Sequence, residues 1–336
     1  MNVNHRTPAA PDRLPAFDTS VLTSRQLRER GIGAALIAER CRPGGAWQRL
    51  LPQVYLLHAG PPSSLERVQA ALLYAGRDPG AHGPAGGGRE AMVTGLAALA
   101  LHRFEAVPPL PGVPVVDVLV SRQRRLRDTR GVAVRRARTL PRPQDVGGVP
   151  CAPVPRALAD ALGVIGDPDT VRVLLCEAVR GGHCDASAVV RELADAGLLE
   201  LPHVAGAVAD LRAADRTMAE ERLYAMVRRH ALPDPVWNVA LRLPGGPPLG
   251  GVDAYWPEHA VAVSLDARSA MAGADEAAWT RYARQREHLE ALGITLVHLT
   301  PAKLAASPEQ QAAVVRTALT ASTDRTPAAY VVVTPR

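Results

Sequence analysis

The chain has 336 residues, 47% of them hydrophobic and 21% charged, which is enough for two or three domains that each bury a core. A formal net charge of +6 and an isoelectric point near 9.5 permit an anionic partner without requiring one. No apolar run reaches the ~20 residues of a membrane span, and the polar, proline-rich opening from Met1 to Pro15 predicts no export signal, so a cytoplasmic protein without a membrane partner is expected.

Residues 1–16 read as a disordered N-terminus. Thr23 or Ser24 then caps a helix through Arg30, and Gly31-Ile32-Gly33 stops it. A second short helix runs from Ala34 to Arg42 and ends at Pro43-Gly44-Gly45. From Trp47 to Leu57 two short strands flank a proline turn. Helix, tight turn, helix and β-wing over residues 17–60 is the pattern of a winged helix-turn-helix, whose second helix enters a major groove. A middle α/β domain, residues 61–152, follows with a helix over Leu65–Tyr74 and a flexible Gly/Pro stretch over Asp78–Gly88. It continues with a helix over Met92–His102, a strand over Val113–Ser121 and a partner strand over Val132–Ala137. Residues 153–215 are expected to be helical, the last helix covering Pro202–Leu211. A separate amphipathic helix, Met218–His230, opens a domain over residues 216–305. Its order, α-β-β-β-α-β, suits a small mixed sheet flanked by helices. Residues 306–336 read as a helix and a polar tail. The fold class is therefore α+β and multidomain.

Two groups of residues carry chemistry. The first is arginine. Arg25, Arg28, Arg40, Arg42 and Arg49 gather on the two N-terminal helices and the wing. Arg122 to Arg142 holds nine arginines against one acid, Asp128. Because Lys303 is the only lysine, part of the arginine content reflects the coding bias of a high-GC genome. A solvated hairpin is the plainer reading of the second cluster, and charge this one-sided makes a phosphate-backbone contact a credible second one. Helical-hairpin protein contact is the rival reading of the first, and Trp47 and Tyr55 are expected in the core. The second group is acidic. Asp253 opens a β-hairpin, and Ser264 and Asp266 share a face of the next strand. Carboxylates so placed gather around a hard divalent cation in restriction-type nucleases. Here Ser264 puts a neutral hydroxyl where a carboxylate is needed. Strand-end aspartates bonded to nearby amides, and Glu220 as a residue favoured in a first helical turn, are the plainer readings. Cys41, Cys151, Cys176 and Cys184 form no CxxC pair and the histidines no metal spacing, so reduced thiols and no cofactor are expected.

In order and spacing, the chain from Phe17 to Leu304 resembles actinobacterial proteins that join an AbiEi-antitoxin-like winged helix to a very-short-patch-repair-endonuclease-like domain of the PD-(D/E)xK type. The resemblance rests on Leu22-Thr23-Ser24-Arg25-Gln26-Leu27, Trp47-Gln48-Arg49-Leu50 and Val54-Tyr55-Leu56. In the middle it rests on Arg138-Thr139-Leu140-Pro141 and on the segment from Pro153 to Asp160. It continues through Met218-Ala219-Glu220-Glu221-Arg222-Leu223, Leu232-Pro233-Asp234-Pro235, Val252-Asp253, Val261 to Asp266, and Leu289 to Gly293. Such proteins carry glutamate-x-aspartate-glycine and then a histidine where this chain has Ser264, Asp266, Ala267 and Ala270. Their downstream aspartate and arginine are replaced by Tyr282 and Gln285, beside Arg284 and Arg286.

The resemblance thus implies a transcriptional regulator or antitoxin-like repressor with an inactive nuclease-like domain. Duplex DNA is the expected partner, with a cognate toxin or a second copy as further partners of a toxin–antitoxin type system. Arg25 and Arg28 are expected on phosphates, with Ser24 beside them. Arg40 and Arg42 are expected on base edges or backbone, Arg49 on a phosphate, and Arg122, Arg124, Arg125 and Arg127 as supporting contacts. No catalytic residue is expected; Glu220, Asp253, Ser264 and Asp266 are relic positions. Two alternatives stand beside this: a Mg²⁺-dependent endonuclease whose ion is held by Asp253 and Asp266, and a protein-interaction adaptor.

Overall fold

Thr23 ends a strand and caps a helix at once. Its hydroxyl accepts the Gln26 N–H while the Gln26 side chain accepts the Thr23 N–H, a reciprocal cap worth about 1 kcal/mol. In the computed structural model, which describes residues 19–76, 91–246, 248–265, 276–322 and 331–336, this junction joins β1 (Val21–Thr23) to α1 (Ser24–Glu29). α2 (Ala34–Arg40), β2 (Gln48–Leu51) and β3 (Val54–Leu56) follow, and the strands form a three-stranded sheet in the order β1-β3-β2. Leu22, Leu27, Ile32, Ile37 and Trp47 make its core, with Tyr55 packed at the edge. The expected disorder of residues 1–16 and the Gly/Pro stretch Asp78–Gly88 both lie outside the described residues.

The chain divides into two compact units, one drawn from Met1–Leu101 and Pro108–Ala152, the other from His102–Val107 and Pro153–Arg336. In the first unit α3 (Ser64–Tyr74) packs on both the N-terminal sheet and a second, five-stranded one. That second sheet has the order β6-β5-β4-β8-β7. Its strands are β4 (Met92–Thr94), β5 (Val116–Ser121), β6 (Val132–Ala137), β7 (Gln144–Val146) and β8 (Val149–Cys151).

Two sequence expectations change here. The helix expected from Met92 is a strand first, and α4 (Gly95–Leu101) starts only at Gly95, which turns the backbone at φ +62. A Cβ on Gly95 would meet Asp117 Oδ2 at 2.9 Å, so the left-handed turn and the buried Asp117 require glycine together. The arginine-bearing segment is not a hairpin either. β5 and β6 run parallel, Val116 opposite Val132 through Ser121 opposite Ala137, and residues 122–131 are the return. Extended at ~3.3 Å per residue, that stretch is long enough to travel back along a six-residue strand without a helix.

The second unit opens with α5 (Val154–Leu162), α6 (Pro168–Arg180) and α7 (Ala186–Asp195). Arg156 clamps Asp160 with two hydrogen bonds of 3.1 and 2.7 Å and reaches Glu192 at 3.3 Å, tying α5 to α7. The two helices expected over Pro202–Leu211 and Met218–His230 are one, α8 (Pro202–Arg229). The residues between them, Arg212 to Thr217, lack large apolar side chains but include two alanines and no glycine or proline, so nothing breaks the helix. The domain boundary placed at 215/216 therefore falls inside α8.

The sheet beyond α8 has the order β12-β11-β10-β9-β13. β9 (Val236–Arg242), β10 (Pro248–Trp256) and β11 (Val261–Leu265) form an antiparallel meander. α9 (Glu276–Ala291) leads to β12 (Thr295–Leu299), which pairs parallel to β11. α10 (Pro301–Ala306) and α11 (Pro308–Ser322) follow, and the expected polar tail ends in β13 (Val332–Pro335), which adds an antiparallel edge to β9. Val261, Val263 and Leu265 face α8 and α11, while Ala262 packs with Leu289 and Ile294 on the other side. The fold is mixed α/β, with eleven α-helices among the described residues, and none of these helices is long and apolar enough to cross a membrane.

Candidate functional site

α1, α2 and the β2–β3 hairpin surround a cavity of about 660 Å³ lined by Ser24 and Arg28 from α1, Ala38 from α2, and Arg49, Gln53 and Tyr55 from the hairpin. The turn is fastened to the helix. Ser24 N–H donates to the Gln53 carbonyl at 2.9 Å, and the Ser24 hydroxyl bonds the Gln53 side chain, with Gln53 itself at φ 64. Arg28 Nε bonds the Ser24 carbonyl at 3.2 Å, leaving the exposed guanidinium edge over the opening. Arg25 forms an exposed pair with Glu29 at 3.5 Å. Arg40 is half-buried at the last turn of α2, and its carbonyl accepts the Trp47 N–H at 3.0 Å; Arg42 is exposed just past the helix. The exposed face of α2 carries Ala34, Ala35, Ala38 and Glu39, short apart from the last. Trp47 is buried, as expected, and Tyr55 half-buried.

This segment is fixed to α3 by a carboxylate. Burial works to raise the Glu66 pKa, but hydrogen bonds from the Ser20 hydroxyl, the Ser63 N–H and His58 outweigh it and hold the carboxyl at about 2. The other end of α3 meets the return segment: Tyr74 Oη donates to the Arg127 carbonyl at 2.8 Å, and Arg124 Nη2 to the Ala75 carbonyl at 2.6 Å. One helix of 11 residues, roughly 16 Å at 1.5 Å per residue, thus separates the two arginine groups.

The arginines of the second group divide by task. Arg124 holds the return segment to α3, Arg135 Nε pairs with the buried Asp117 at 2.7 Å, and Arg136 bonds the Leu126 carbonyl. Arg122, Arg125, Arg127, Arg130, Arg138 and Arg142 are exposed. Asp128, the one acid, turns onto the Val134 N–H at 2.9 Å, so the surface of the segment is dominated by positive charge.

In the second unit the acidic positions meet an arginine that the sequence reading passed over. Asp253, only 3% exposed on β10, uses one oxygen to accept the Leu265 N–H at 2.6 Å and the other to accept Arg216 Nη2 at 2.5 Å. Arg216 Nε reaches Glu220 at 2.9 Å, four residues along α8. The register that sets Ala254 opposite Val263 brings Asp253 level with Ser264. Arg216 thus joins Glu220 to Asp253, and Ser264 stands opposite Asp253 on the next strand, while Asp266, Ala267 and Ala270 and the side chain of Tyr282 lie outside the described residues. Gln285 lies against Gly250, whose φ of +115 and missing Cβ permit the approach. Among the described residues no group of three or more His, Cys, Asp or Glu is placed to hold a metal ion. Arg216 had a legible signal, its i to i+4 spacing from Glu220; the clustering of Gln53 with Ser24 had none, since it depends on a turn conformation. No protein-family model and no curated protein matches this sequence.

Proposed function

We propose that the chain is a sequence-specific duplex-DNA-binding protein, a transcriptional regulator or antitoxin-like repressor. On this reading β1–β3 with α1 and α2 form a winged helix-turn-helix, and the sheet beyond α8 is a restriction-endonuclease-like domain that does not cut. The observation that carries it is the cavity in which Ser24, Arg28, Arg49 and Gln53 converge beside the exposed, short-chained face of α2. Arginines on either side of a helix suit two flanking phosphates, and alanines on the helix let its backbone approach base edges and thymine methyls. Arg28 and Arg49 are assigned to phosphates, with Arg25 at the outer end of α1. Arg40 and Arg42 stand at the C-terminal end of α2, away from the N-terminal residues that usually read bases, and are assigned to the backbone.

Replacing both Arg28 and Arg49 by alanine in the full chain should raise the dissociation constant for duplex DNA at least roughly tenfold, a cost of about 1.4 kcal/mol. Fluorescence anisotropy with labelled genomic fragments measures it. Unchanged affinity in a double variant that unfolds at the wild-type temperature removes this surface as the interface.

A further inference from the structure

Asp253 is buried on β10 in the sheet beyond α8 and Glu220 is on α8, yet both accept from one side chain. Arg216 approaches them at 2.5 and 2.9 Å, and with 46% of its side chain exposed it stands between the buried carboxylate and solvent. Two carboxylates, one from a helix and one from a strand, converging on a single cation is how oxygen ligands bridge a divalent metal. These residues do not fit such an ion. A guanidinium in contact with both carboxylates fills the space between them. The oxygen of Asp253 turned away from it is already committed to the Leu265 N–H. The charge also falls short: two carboxylates less one guanidinium leave a single negative charge, and Ser264 adds none.

We infer that Arg216 is the resident cation of this centre, a guanidinium in the place where a restriction-type nuclease would hold its divalent metal. The exchange turns an ion-dependent centre into a permanent joint between α8 and β10, because a cation carried on the chain cannot dissociate or be chelated. It also accounts for a neutral residue at position 264: a third carboxylate beside Asp253 would add charge that one guanidinium cannot offset. The inference rests on the nuclease-like reading of this sheet and is independent of whether the first unit binds DNA.

The test uses the full chain and Mn²⁺ as probe, with thermal unfolding as the first readout. The wild-type midpoint should be the same in Mn²⁺ and in EDTA at matched ionic strength. Arg216→Ala should unfold at a lower temperature in EDTA and recover part of the loss in Mn²⁺. Arg216→Lys, which holds one carboxylate at a time, should fall between them without a Mn²⁺ response. Should Arg216→Ala fail to fold, Arg216→Gln keeps a polar stem, and its Mn²⁺ binding can be followed by loss of the free-ion electron-paramagnetic-resonance signal. That binding should disappear again when Asp253→Asn is added. A wild-type midpoint that rises in Mn²⁺, or an Arg216 variant whose stability and resonance signal ignore the metal, overturns the inference.

Discussion

Raising salt from 50 to 200 mM should weaken duplex binding by roughly 500-fold, the loss expected when about five phosphates are neutralised and their condensed counterions released. Arg28 and Arg49, which line the cavity beside α2, are the two expected to make such contacts there if the proposed DNA binding holds. The exposed Arg122, Arg125 and Arg127 can supply the others, since the return segment that carries them is fastened to the far end of α3. Neutralising these three should reduce the salt slope by about three and lower affinity equally for operator and random DNA, because phosphate contacts carry no base information. Arg124 is the internal control. Bound to the Ala75 carbonyl, its replacement should cost stability while leaving the slope nearly unchanged. Loss confined to a specific sequence would mean that the segment reads bases and that the phosphate assignment is wrong.

Asp253→Ala should destabilise the second unit by roughly 3 kcal/mol, because it leaves the buried Leu265 N–H and the Arg216 guanidinium without their shared acceptor. Ser264→Ala, one strand away at the same level, should change stability by only about 0.5 kcal/mol, as expected for a partly exposed side chain that is in no hydrogen-bond network among the described residues. Chemical denaturation followed by the fluorescence of Trp237 and Trp256, which both pack into the core on the α8 side of that sheet, measures both. Equal effects from the two substitutions would show that Asp253 is not the anchor of this centre.

How much of this was legible depended on the range of the interaction that decided each element. α1 could be read from Thr23 and Gln26 because its cap is local. The α-β-β-β-α-β order could be read because each strand carries its own apolar alternation and each turn its own glycine or proline. The pairing of β5 with β6 could not. Adjacent strands suggest a hairpin, and no local signal in residues 122–131 marks the return that makes the pair parallel. β13 was hidden for the same reason: a short run after a polar tail becomes a strand only because β9 offers an edge. α8 reads as two helices because the residues between its apolar halves, Arg212 to Thr217, carry no large apolar side chain, yet without glycine or proline the helix does not end.

The candidate sites divide in the same way. The grouping of Arg25, Arg28 and Arg49 is visible along the chain, whereas the turn that brings Gln53 onto Ser24 is a backbone property. Ser264 stands out only against the resemblance, whereas Arg216, which pairs with Glu220 and Asp253, lies in none of the segments that carry it.

A gel-retardation experiment on supercoiled plasmid and genomic fragments, run at matched ionic strength with Mg²⁺ and with EDTA, tests the central claim most directly. The full chain should retard duplex DNA equally in both conditions and release it intact, with the plasmid still supercoiled after hours. Failure to retard DNA at low salt, or Mg²⁺-dependent nicking that Asp253→Ala abolishes, would contradict it.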